Sequence, residues 1–367
     1  MTHVLTAVSL FSGCGGFDFG ATTAGIKVIW ANDVDKYAAL AYKSLLPNTE
    51  FTCSDVRKIE VFPQADILIG CYPCTGFSLA ARRRWHERQD RDLKDIDGNF
   101  LYREFIRAID HVKPKYLFIE NVGGMTSAEG GWFFEQQLQG LRDKGYIMQH
   151  NTLRAEAYGL AQTRKRVFLV GVREDIVDSG FEYKFPAPTH GEGLLPIHSM
   201  RTALDGIESD ELTDVCHNSF HGHYLTRNRK RDWNEPSYTI VANSCHVPLH
   251  PGGEPMVYVS KDKWALQGDA NRRLSWQECA VLQGFPRGSF ATDIPLTHKY
   301  KVIGNAVPPH FGYAIVRSVV EYELGQTLPT TFEAALVDAS LRAGAGRRGV
   351  EHVPHHDELL VTSLKDG

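Results

Sequence analysis

The sequence lacks the features of a secreted or membrane-bound protein. Its seven cysteines are an odd number without a repeated metal-ligand spacing, and no basic N-terminal segment precedes an apolar stretch. These absences argue against a disulfide scaffold and a metal site, and they favour a reducing, cytoplasmic compartment. The longest apolar runs are far shorter than the ~20 residues that cross a bilayer, so no membrane segment is expected.

A strong excess of charge of either sign is also missing. The net charge is -4 over 367 residues, and the 43% hydrophobic content is that of an ordinary globular protein. No global attraction to nucleic acid follows from this balance. Basic residues nevertheless cluster at 82–84, 164–166 and 227–231, and such local clusters can bind phosphates.

The first half of the chain alternates short apolar runs with amphipathic stretches. Buried strands are predicted at residues 4–10, 28–30, 67–69, 116–119 and 167–172, and helices at 34–45, 101–111 and 132–144. This alternation is typical of a doubly wound α/β sheet, in which ligands bind beyond the carboxyl ends of the strands.

The amino-acid composition of the sequence changes near residue 174. Proline, glycine, histidine and asparagine dominate up to about residue 269, with a short strand predicted at 237–242. We expect a catalytic and cofactor-binding domain over residues 1–180, a smaller irregular domain over 181–270, and a return to the first domain over 271–330. Helices are predicted at 275–283, where Ser275 and Glu278 have the spacing of a capping box, and behind Pro308. The tail over 331–367 is expected to be weakly structured.

A glycine-rich loop, FSGCGG at residues 11–16, follows the first predicted strand. Glycines let a backbone turn tightly and approach a ligand at a helix N-terminus. Because the spacing is not G-x-G-x-x-G, a nicotinamide dinucleotide, a flavin or an adenosyl cofactor could each fit. About 20 residues further on, Asp33 ends the second strand, where an acid typically binds ribose hydroxyls. The two signals favour a ligand of adenosine type over a plain turn.

Cys74 lies in a Pro-Cys turn after the apolar run 67–69, a position that presents a thiol at the edge of the sheet. An isolated cysteine is more often a small buried hydrophobe, so its partners must decide its role. Glu120 ends the strand at 116–119 and is expected at the same edge, either capping a turn or acting on a ring that the thiol attacks. Arg164 and Arg166 precede the last strand and point the same way if the segment is extended.

Together these residues resemble the cytosine-5 DNA methyltransferases, whose motifs occur here in the family's usual order over residues 4–315. The matching segments are residues 11–16, 32–33, 54–56, 73–74, 120–122, the triplet Gln162, Arg164 and Arg166, and residues 273–286 and 304–308. The resemblance implies a doubly wound, Rossmann-like mixed sheet with the fold of S-adenosylmethionine-dependent methyltransferases. It also implies a target-recognition domain at 181–270.

The resemblance implies a specific reaction on a cytosine that is flipped out of duplex DNA. The Cys74 thiolate would add to carbon 6, and carbon 5 would then take the methyl group of S-adenosylmethionine, with S-adenosylhomocysteine as the product. Glu120 would bind ring nitrogen 3 and the exocyclic amine. Arg166 would hold the carbonyl oxygen, and Arg164 would support the loop.

The same resemblance assigns residues to the cofactor. Phe11 would stack near the adenine, Asp33 would bind the ribose, Asp55 would contact the adenine amine, and Asn305 would close the pocket. The other cofactor residues that it implies are Gly13, Gly15, Gly16, Val34, Val56, Pro73 and Ala306.

Duplex DNA is the implied partner, methylated by a monomer in a bacterial cytoplasm. The DNA-binding residues that the resemblance implies are Ser78, Arg82, Arg83, Gln162, Arg227, Arg229 and Arg231. Arginine is the usual reader of guanine in the major groove, so the region 224–240 points to a short GC-rich site such as GGCC. Each single arginine could equally bind phosphate or support the structure. Methylation would protect the site against a cognate restriction enzyme.

Three alternatives stay open. A tRNA cytosine-5 methyltransferase has a similar fold, but its Cys-Phe-Thr signature is not found in this sequence. A dinucleotide oxidoreductase would use the loop at 11–16 and would leave Cys74 and Glu120 without a task. A non-catalytic DNA-binding regulator of the same fold would need neither of these two residues.

Overall fold

A seven-stranded sheet organises the N-terminal half of the protein. The computed structural model describes residues 4–73, 96–207, 211–290 and 293–345. The strands of the sheet are β1 (Thr6–Leu10), β2 (Lys27–Asp33), β3 (Glu50–Cys53), β4 (Ile67–Gly70), β5 (Tyr116–Asn121), β6 (Tyr146–Arg154) and β7 (Lys165–Arg173). Their order is β3-β2-β1-β4-β5-β7-β6. β1 to β5 pair in parallel, whereas β7 is antiparallel to β5 and β6, so the expected mixed, doubly wound sheet is confirmed.

Helices connect the strands and continue beyond the sheet. They are α1 (Gly16–Thr23), α2 (Lys36–Leu45), α3 (Tyr102–Val112), α4 (Trp132–Arg142), α5 (Glu174–Asp178), α6 (Met200–Leu204), α7 (Glu211–Asp214), α8 (Trp276–Leu282), α9 (Leu296–Asn305), α10 (Pro309–Leu324) and α11 (Phe332–Ala345). The capping box predicted at Ser275 and Glu278 is present at the start of α8. Among the described residues, no helix is both long and apolar enough to cross a membrane.

The central strands separate two hydrophobic cores, because successive side chains of a strand point to opposite faces of the sheet. Ile67 and Ile69 of β4 pack with α1 and α10, in a core that includes Phe17 and Phe311. Leu68, between them, packs on the other face with α3 and α4. The sheet is therefore covered on both sides, and its functional groups must lie at the strand ends.

Glycines allow α1 and α10 to touch through their backbones. A Cβ atom on Gly16 would lie 2.0 Å from the carbonyl oxygen of Val307, and one on Gly20 would lie 2.1 Å from that of Pro309. No real side chain fits such distances. This close approach brings the loop at 11–16 against the segment at 304–307, although the two are almost 300 residues apart in the chain.

The described residues of the region 181–270 form α6, α7 and a hairpin of β8 (Val257–Ser260) and β9 (Lys263–Ala265), each of them short. The strand predicted at 237–242 is wrong. Only Ser237 forms an isolated bridge, with Gln162. The backbone N–H and C=O of Ile240 are bonded to side chains of Gln162 and Arg164 and so cannot join a strand ladder. Ile240 also shares a core with Leu274 and Ile303, so the boundaries at 180 and 270 stay predictions.

The expectation of a weakly structured tail from residue 331 is wrong for its first part. Helix α11 packs Phe332 and Ala335 into the core beside α1 and α10. Its Glu333 accepts a hydrogen bond from His310 at 2.8 Å, which the local sequence does not signal. Long-range burial of one aromatic ring thus orders a segment whose composition indicates a tail.

Candidate active site

Glu120 and Arg166 form a pair of charged side chains at the carboxyl end of the parallel strands. Glu120, the penultimate residue of β5, pairs with Phe168 of the antiparallel β7, so Arg166, two residues along β7, lies on the same face of the sheet. The Nε atom of Arg166 is 2.8 Å from Oε1 of Glu120, and both side chains are largely buried. The sequence predicted Glu120 at this edge, and the structure brings Arg166 into direct contact with it.

Burial raises the pKa of the Glu120 carboxyl, and the charges of Arg166 and Arg164 oppose that rise without cancelling it. The carboxyl thus holds its proton more readily than an exposed glutamate does. Such a group can donate a hydrogen bond to a ring nitrogen as well as accept one from an amine. This arrangement suits the recognition of one edge of a cytosine ring.

The start of the Pro-Cys turn is fixed beside this pair. Cys71 follows β4, and its backbone N–H binds the carbonyl of Leu10 at 3.2 Å. The Tyr72 hydroxyl donates to Gln137 at 2.6 Å, which ties the turn to α4. Pro73, half-buried, is the last described residue before the gap. Cys74, Ser78, Arg82 and Arg83 lie outside the described residues.

Arg164 binds backbone carbonyls from two distant segments, and only 2% of it is exposed. It donates to the carbonyl oxygens of Ile240 at 3.1 Å, Gly304 at 3.2 Å and Ala306 at 2.9 Å. Guanidinium groups suit this task because their donors form a rigid fork. The expectation that Arg164 supports the site is therefore refined: it joins the region 181–270 to the loop after α9.

That Gln162 contacts DNA stays a prediction, which its position in the structure does not favour. Its side chain is fully buried. Its Nε2 donates to the Leu282 carbonyl and to the Gln283 side chain, both at 2.8 Å, while its Oε1 accepts from the Ile240 amide at 2.9 Å. A buried amide with its hydrogen bonds satisfied has no reason to leave the interior. Gln162 thus connects the segments that contain Leu282 and Ile240. Its polar residue type alone does not indicate this role in the sequence.

The glycine-rich loop bends sharply between β1 and α1. Phe11, Gly13 and Gly15 all have positive φ angles, of 54°, 55° and 85°. Among the described residues nothing lies within 4 Å of where a Cβ of Gly13 would project, whereas Gly16 is pressed against Val307. The loop therefore leaves room on one side, as expected for a backbone that approaches a ligand. The Phe11 ring meets Tyr72 edge to face at 6.1 Å.

Two carboxylates flank this loop at the ends of β2 and β3. Asp33 accepts hydrogen bonds from the amides of Gly13 and Asp35, each at 2.9 Å, and burial raises its pKa. Asp55 is bound by the Arg57 guanidinium, with 2.6 Å between Oδ2 and Nη2, and this hydrogen bond lowers its pKa to about 2. Asp33 thus ends the second strand as the sequence predicted, whereas the position of Asp55 just after β3 was not predicted from the sequence pattern.

Apolar and amide groups complete the rim of this space. Val34 is 69% exposed directly after Asp33, an unusual degree for valine, while Val56 beside Asp55 is buried. Asn305 is exposed at the end of α9. The carbonyl of Ala306 accepts from Arg164 at 2.9 Å and from Gln283 at 2.6 Å. The exposed Val34 offers an apolar surface that a planar, partly apolar ligand would cover.

Asp18 is a buried carboxylate beneath the glycine-rich loop, and the sequence motifs did not predict a role for it. It accepts hydrogen bonds from Ser9 and Tyr42, both at 2.8 Å. Burial raises its pKa to about 6, and these two bonds oppose the rise. The only sequence signal is an acid in the first turn of an otherwise apolar helix, where a capping role is the ordinary interpretation.

The three arginines predicted to bind DNA in the region 181–270 differ in their environments. Arg229 is buried, donates to the Tyr224 carbonyl at 3.1 Å and stacks on the Tyr224 ring. Burial lowers the pKa of its guanidinium to about 10. Arg231 binds Glu235 at 3.0 Å and stacks on Tyr238. Only Arg227 is exposed.

That Arg229 contacts DNA stays a prediction, which the structure does not favour because its donors face backbone carbonyls inside the region. Arg231 is held against its neighbours and is partly exposed. Arg227 alone keeps the accessibility that a DNA contact requires. The alternation of basic letters did not distinguish a buried arginine from an exposed one.

Comparison with known proteins gives a consistent family match. The family model of the C-5 cytosine-specific DNA methylase matches residues 5–321. Type II methyltransferase M.BsuRI of Bacillus subtilis is 34% identical over 88% of this chain and 81% of its own length. Type II methyltransferase M.FnuDI of Fusobacterium nucleatum is 34% identical over 86% of this chain and 94% of its own length.

Solved structures with low sequence identity share the fold. A DNA modification methyltransferase encoded within an Escherichia coli prophage has a TM-score of 0.60 at 20% identity, and it covers 87% of this chain and 99% of its own. The Dnmt2 methyltransferase of S. pombe also has a TM-score of 0.60, at 15% identity. The match covers 88% of this chain and 99% of that protein. At such identities the likeness concerns the arrangement of the elements.

Proposed function

We propose that this chain, which belongs to the C-5 cytosine-specific DNA methylase family, modifies one cytosine of a short GC-rich duplex site and so protects it from a cognate restriction enzyme. That it is a DNA cytosine-5 methyltransferase of the restriction-modification type follows from the family and its relatives. The site sequence, of GGCC type, is our proposal. So is its place in the cytoplasm of a bacterium.

The observation that carries the proposal is the buried Glu120–Arg166 pair next to the turn that leads to Cys74. The protonated Glu120 carboxyl donates to ring nitrogen 3 of the cytosine and accepts from the exocyclic amine. Arg166 donates to the ring carbonyl oxygen. Both contacts withdraw electrons from the ring, so that carbon 6 becomes open to a nucleophile.

Cys74 supplies that nucleophile. Its thiolate forms a bond to carbon 6, and the electron pair of the carbon 5–carbon 6 double bond becomes available at carbon 5. After carbon 5 has gained its methyl group, loss of its proton and expulsion of the thiolate restore the aromatic ring. Neither ring face is accessible in a base stack, so the target cytosine must leave the duplex.

The residues around the glycine-rich loop fit S-adenosylmethionine. Asp33 presents a carboxylate for ribose hydroxyls, Val34 an exposed apolar surface for the adenine, and Gly13 an open backbone. Asp55 and Asn305 stand at the rim for the adenine amine and the outer side of the pocket. When bound, this cofactor supplies an electrophilic methyl group.

Arg227 is our candidate for direct DNA contact in the region 181–270. It is exposed, and its charge is one of those that, after burial itself, lower the pKa of His246. The other charges acting on His246 come from Arg229, His223 and Arg273, all of them basic groups. Such a concentration of positive charge favours a phosphate or a guanine edge.

The alternatives can now be compared. The family match leaves the dinucleotide oxidoreductase without support, because its residues 5–321 follow the methylase pattern throughout. The non-catalytic regulator would not need the Glu120–Arg166 pair. The tRNA methyltransferase shares the chemistry, so a substrate comparison must separate it from the DNA enzyme.

The decisive experiment is expression in a methylation-free bacterial host, followed by bisulfite sequencing of the host DNA. We expect conversion-resistant cytosines at one short GC-rich sequence, and none with Cys74→Ala. Purified enzyme should transfer tritiated methyl groups to duplex DNA and not to tRNA. A duplex with 5-fluorocytosine at the mapped position should trap the protein covalently. Transfer to tRNA alone, or full turnover by Cys74→Ala, would overturn the proposal.

A further inference from the structure

We propose that Cys216 and Cys245 are an oxidation site: a hydroperoxide converts the two thiols into a reversible disulfide that weakens DNA binding. The modification itself is independent of the proposed function. Its consequence for DNA rests on that function, because it assumes that the region 181–270 contacts DNA.

The two sulfur atoms are already in contact. The Sγ atoms of Cys216 and Cys245 are 3.8 Å apart, although 29 residues separate them in the chain. A disulfide requires about 2.05 Å, so rotation of the side chains must close a gap of roughly 1.8 Å. Both are free thiols in the structure.

The two thiols differ in a way that suits stepwise oxidation. Cys245 is partly exposed, whereas Cys216 is buried beneath it. Burial raises the pKa of Cys245, but hydrogen bonds from Asn218, at 3.1 Å, and from Cys216 outweigh it and leave the pKa below its usual value, with help from the charge of Arg273. Cys245 is therefore the accessible thiol that ionises, and Cys216 is the one that follows.

The other buried cysteines lack this environment. Burial raises the pKa of Cys14, Cys71 and Cys279 well above the usual thiol value. A thiol kept protonated in an apolar interior is a poor nucleophile toward peroxide. Cys53 is exposed but has no second sulfur beside it among the described residues, which makes it a suitable control.

The chemistry balances with one equivalent of hydroperoxide. The Cys245 thiolate attacks one peroxide oxygen, the O–O bond breaks, and Cys245 becomes a sulfenic acid with release of water or an alcohol. The Cys216 sulfur then attacks the Cys245 sulfur, the S–O bond breaks, and hydroxide leaves with the thiol proton as water. The two sulfurs lose two electrons, and the peroxide gains them. Dithiothreitol reverses the bond by thiol exchange.

The disulfide would join two segments of the region 181–270 that Arg273 already holds together. Arg273 donates to the carbonyl oxygens of Cys216 at 2.9 Å and of Cys245 at 3.1 Å. His246, next to Cys245, lies among the basic groups that include Arg227. A disulfide would fix both segments in one arrangement. Adjustment of the basic face to a duplex would then cost additional free energy.

The test uses the full-length chain in a Cys74→Ala background, so that the proposed nucleophile does not consume oxidant. After treatment with hydrogen peroxide, mass spectrometry should show a loss of two hydrogen atoms and a peptide cross-link between Cys216 and Cys245. Cys216→Ser and Cys245→Ser should each abolish the cross-link, whereas Cys53→Ser should retain it. Absence of this cross-link in the parent protein, or the same loss of two hydrogen atoms in Cys216→Ser, would overturn the proposal.

The functional consequence is measured by DNA binding rather than turnover. Oxidation should raise the Kd for a duplex by about fivefold or more, dithiothreitol should reverse the change, and both cysteine variants should be insensitive. Calorimetric binding of S-adenosylmethionine should be unaffected, which also reports on intact folding. If the cross-link forms while the Kd for DNA stays constant, the regulatory part fails. If the reduced protein binds no duplex, the proposed function fails instead.

Discussion

The Nε atom of Arg166 lies 2.8 Å from a carboxyl oxygen of Glu120, across the antiparallel pair of β5 and β7. The two residues stand 46 positions apart in the sequence. The antiparallel return of β7 beside β5 is what brings them to one edge. If β7 ran parallel to β5, the start of β7, where Arg166 lies, would be at the opposite edge of the sheet from Glu120.

Removal of the Glu120 carboxyl should abolish most of the reaction. We expect Glu120→Gln to lower kcat by about 100-fold or more, because the amide keeps the shape but cannot supply a proton to the ring. Single-turnover methyl transfer measures the effect, with a filter-binding assay for DNA affinity beside it. An unchanged kcat would show that this carboxyl takes no part in activating the ring.

Asp33→Ala should weaken cofactor binding roughly tenfold, about 1.4 kcal/mol, since a charged acceptor for the ribose is lost. The affinity for DNA should hardly change. Asp35→Ala is the matched control, because that carboxylate is bound to Lys301 at 2.7 Å and caps α2. Calorimetry with S-adenosylhomocysteine gives the values. Equal losses in the two variants would mean that Asp33 is only structural.

Gly16→Ala should destabilise the protein by at least about 2 kcal/mol, because its new Cβ would meet the Val307 carbonyl oxygen at 2.0 Å. Cofactor affinity should fall with it, since the loop and the segment after α9 must separate. Gly123→Ala is the control: apart from the adjoining residues, no atom of the described residues lies within 4 Å of its Cβ position. Urea unfolding compares the two. Similar stabilities would mean that the backbone contact yields without cost.

Arg227 and Gln162 should respond differently to substitution. Arg227→Gln should weaken DNA binding and reduce the slope of log Kd against log salt by about one, as expected for one lost phosphate contact.

Gln162→Ala should instead reduce the free energy of unfolding by about 1–3 kcal/mol, because it leaves buried partners unsatisfied. Its salt slope should equal that of the parent. A smaller slope of log Kd against log salt in Gln162→Ala would instead indicate that Gln162 contacts DNA.

Asp18 should make stability depend on pH. Its folded pKa of about 6 exceeds the ordinary 3.8, so the folded state binds the proton more tightly than the unfolded chain. Stability from this group is therefore present at low pH and is lost as pH rises from about 4 to 6, by about 3 kcal/mol. Asp18→Asn, which carries no charge, should gain stability relative to the parent over this window.

Urea unfolding at several pH values between 4.5 and 7.5 tests this expectation. The difference between Asp18→Asn and the parent is the relevant quantity, since other titrating groups act on both. A constant offset would reflect only the altered hydrogen bonds to Ser9 and Tyr42. A difference that does not grow with pH would contradict the assigned burial of the charge.

Much of the fold follows from local patterns. The alternation of apolar runs gave the central strands β1, β2, β4, β5 and β7, and the spacing of Ser275 and Glu278 gave the start of α8. Strands β3 and β6 were not predicted. β6 is an edge strand whose side chains are mostly exposed, and it lacks the apolar run on which the prediction depends.

The sequence by itself determined the chemistry of the site and the order of its motifs, because a nucleophilic thiol, a carboxyl and a glycine-rich turn are properties of residue types and spacing. It did not determine which polar side chains face the substrate. Gln162 and Arg229 read like DNA contacts, yet tertiary structure surrounds them with backbone groups that satisfy their hydrogen bonds. Burial and the meeting of distant thiols, as at Cys216 and Cys245, depend on how segments pack, and packing is decided by contacts far apart in the chain.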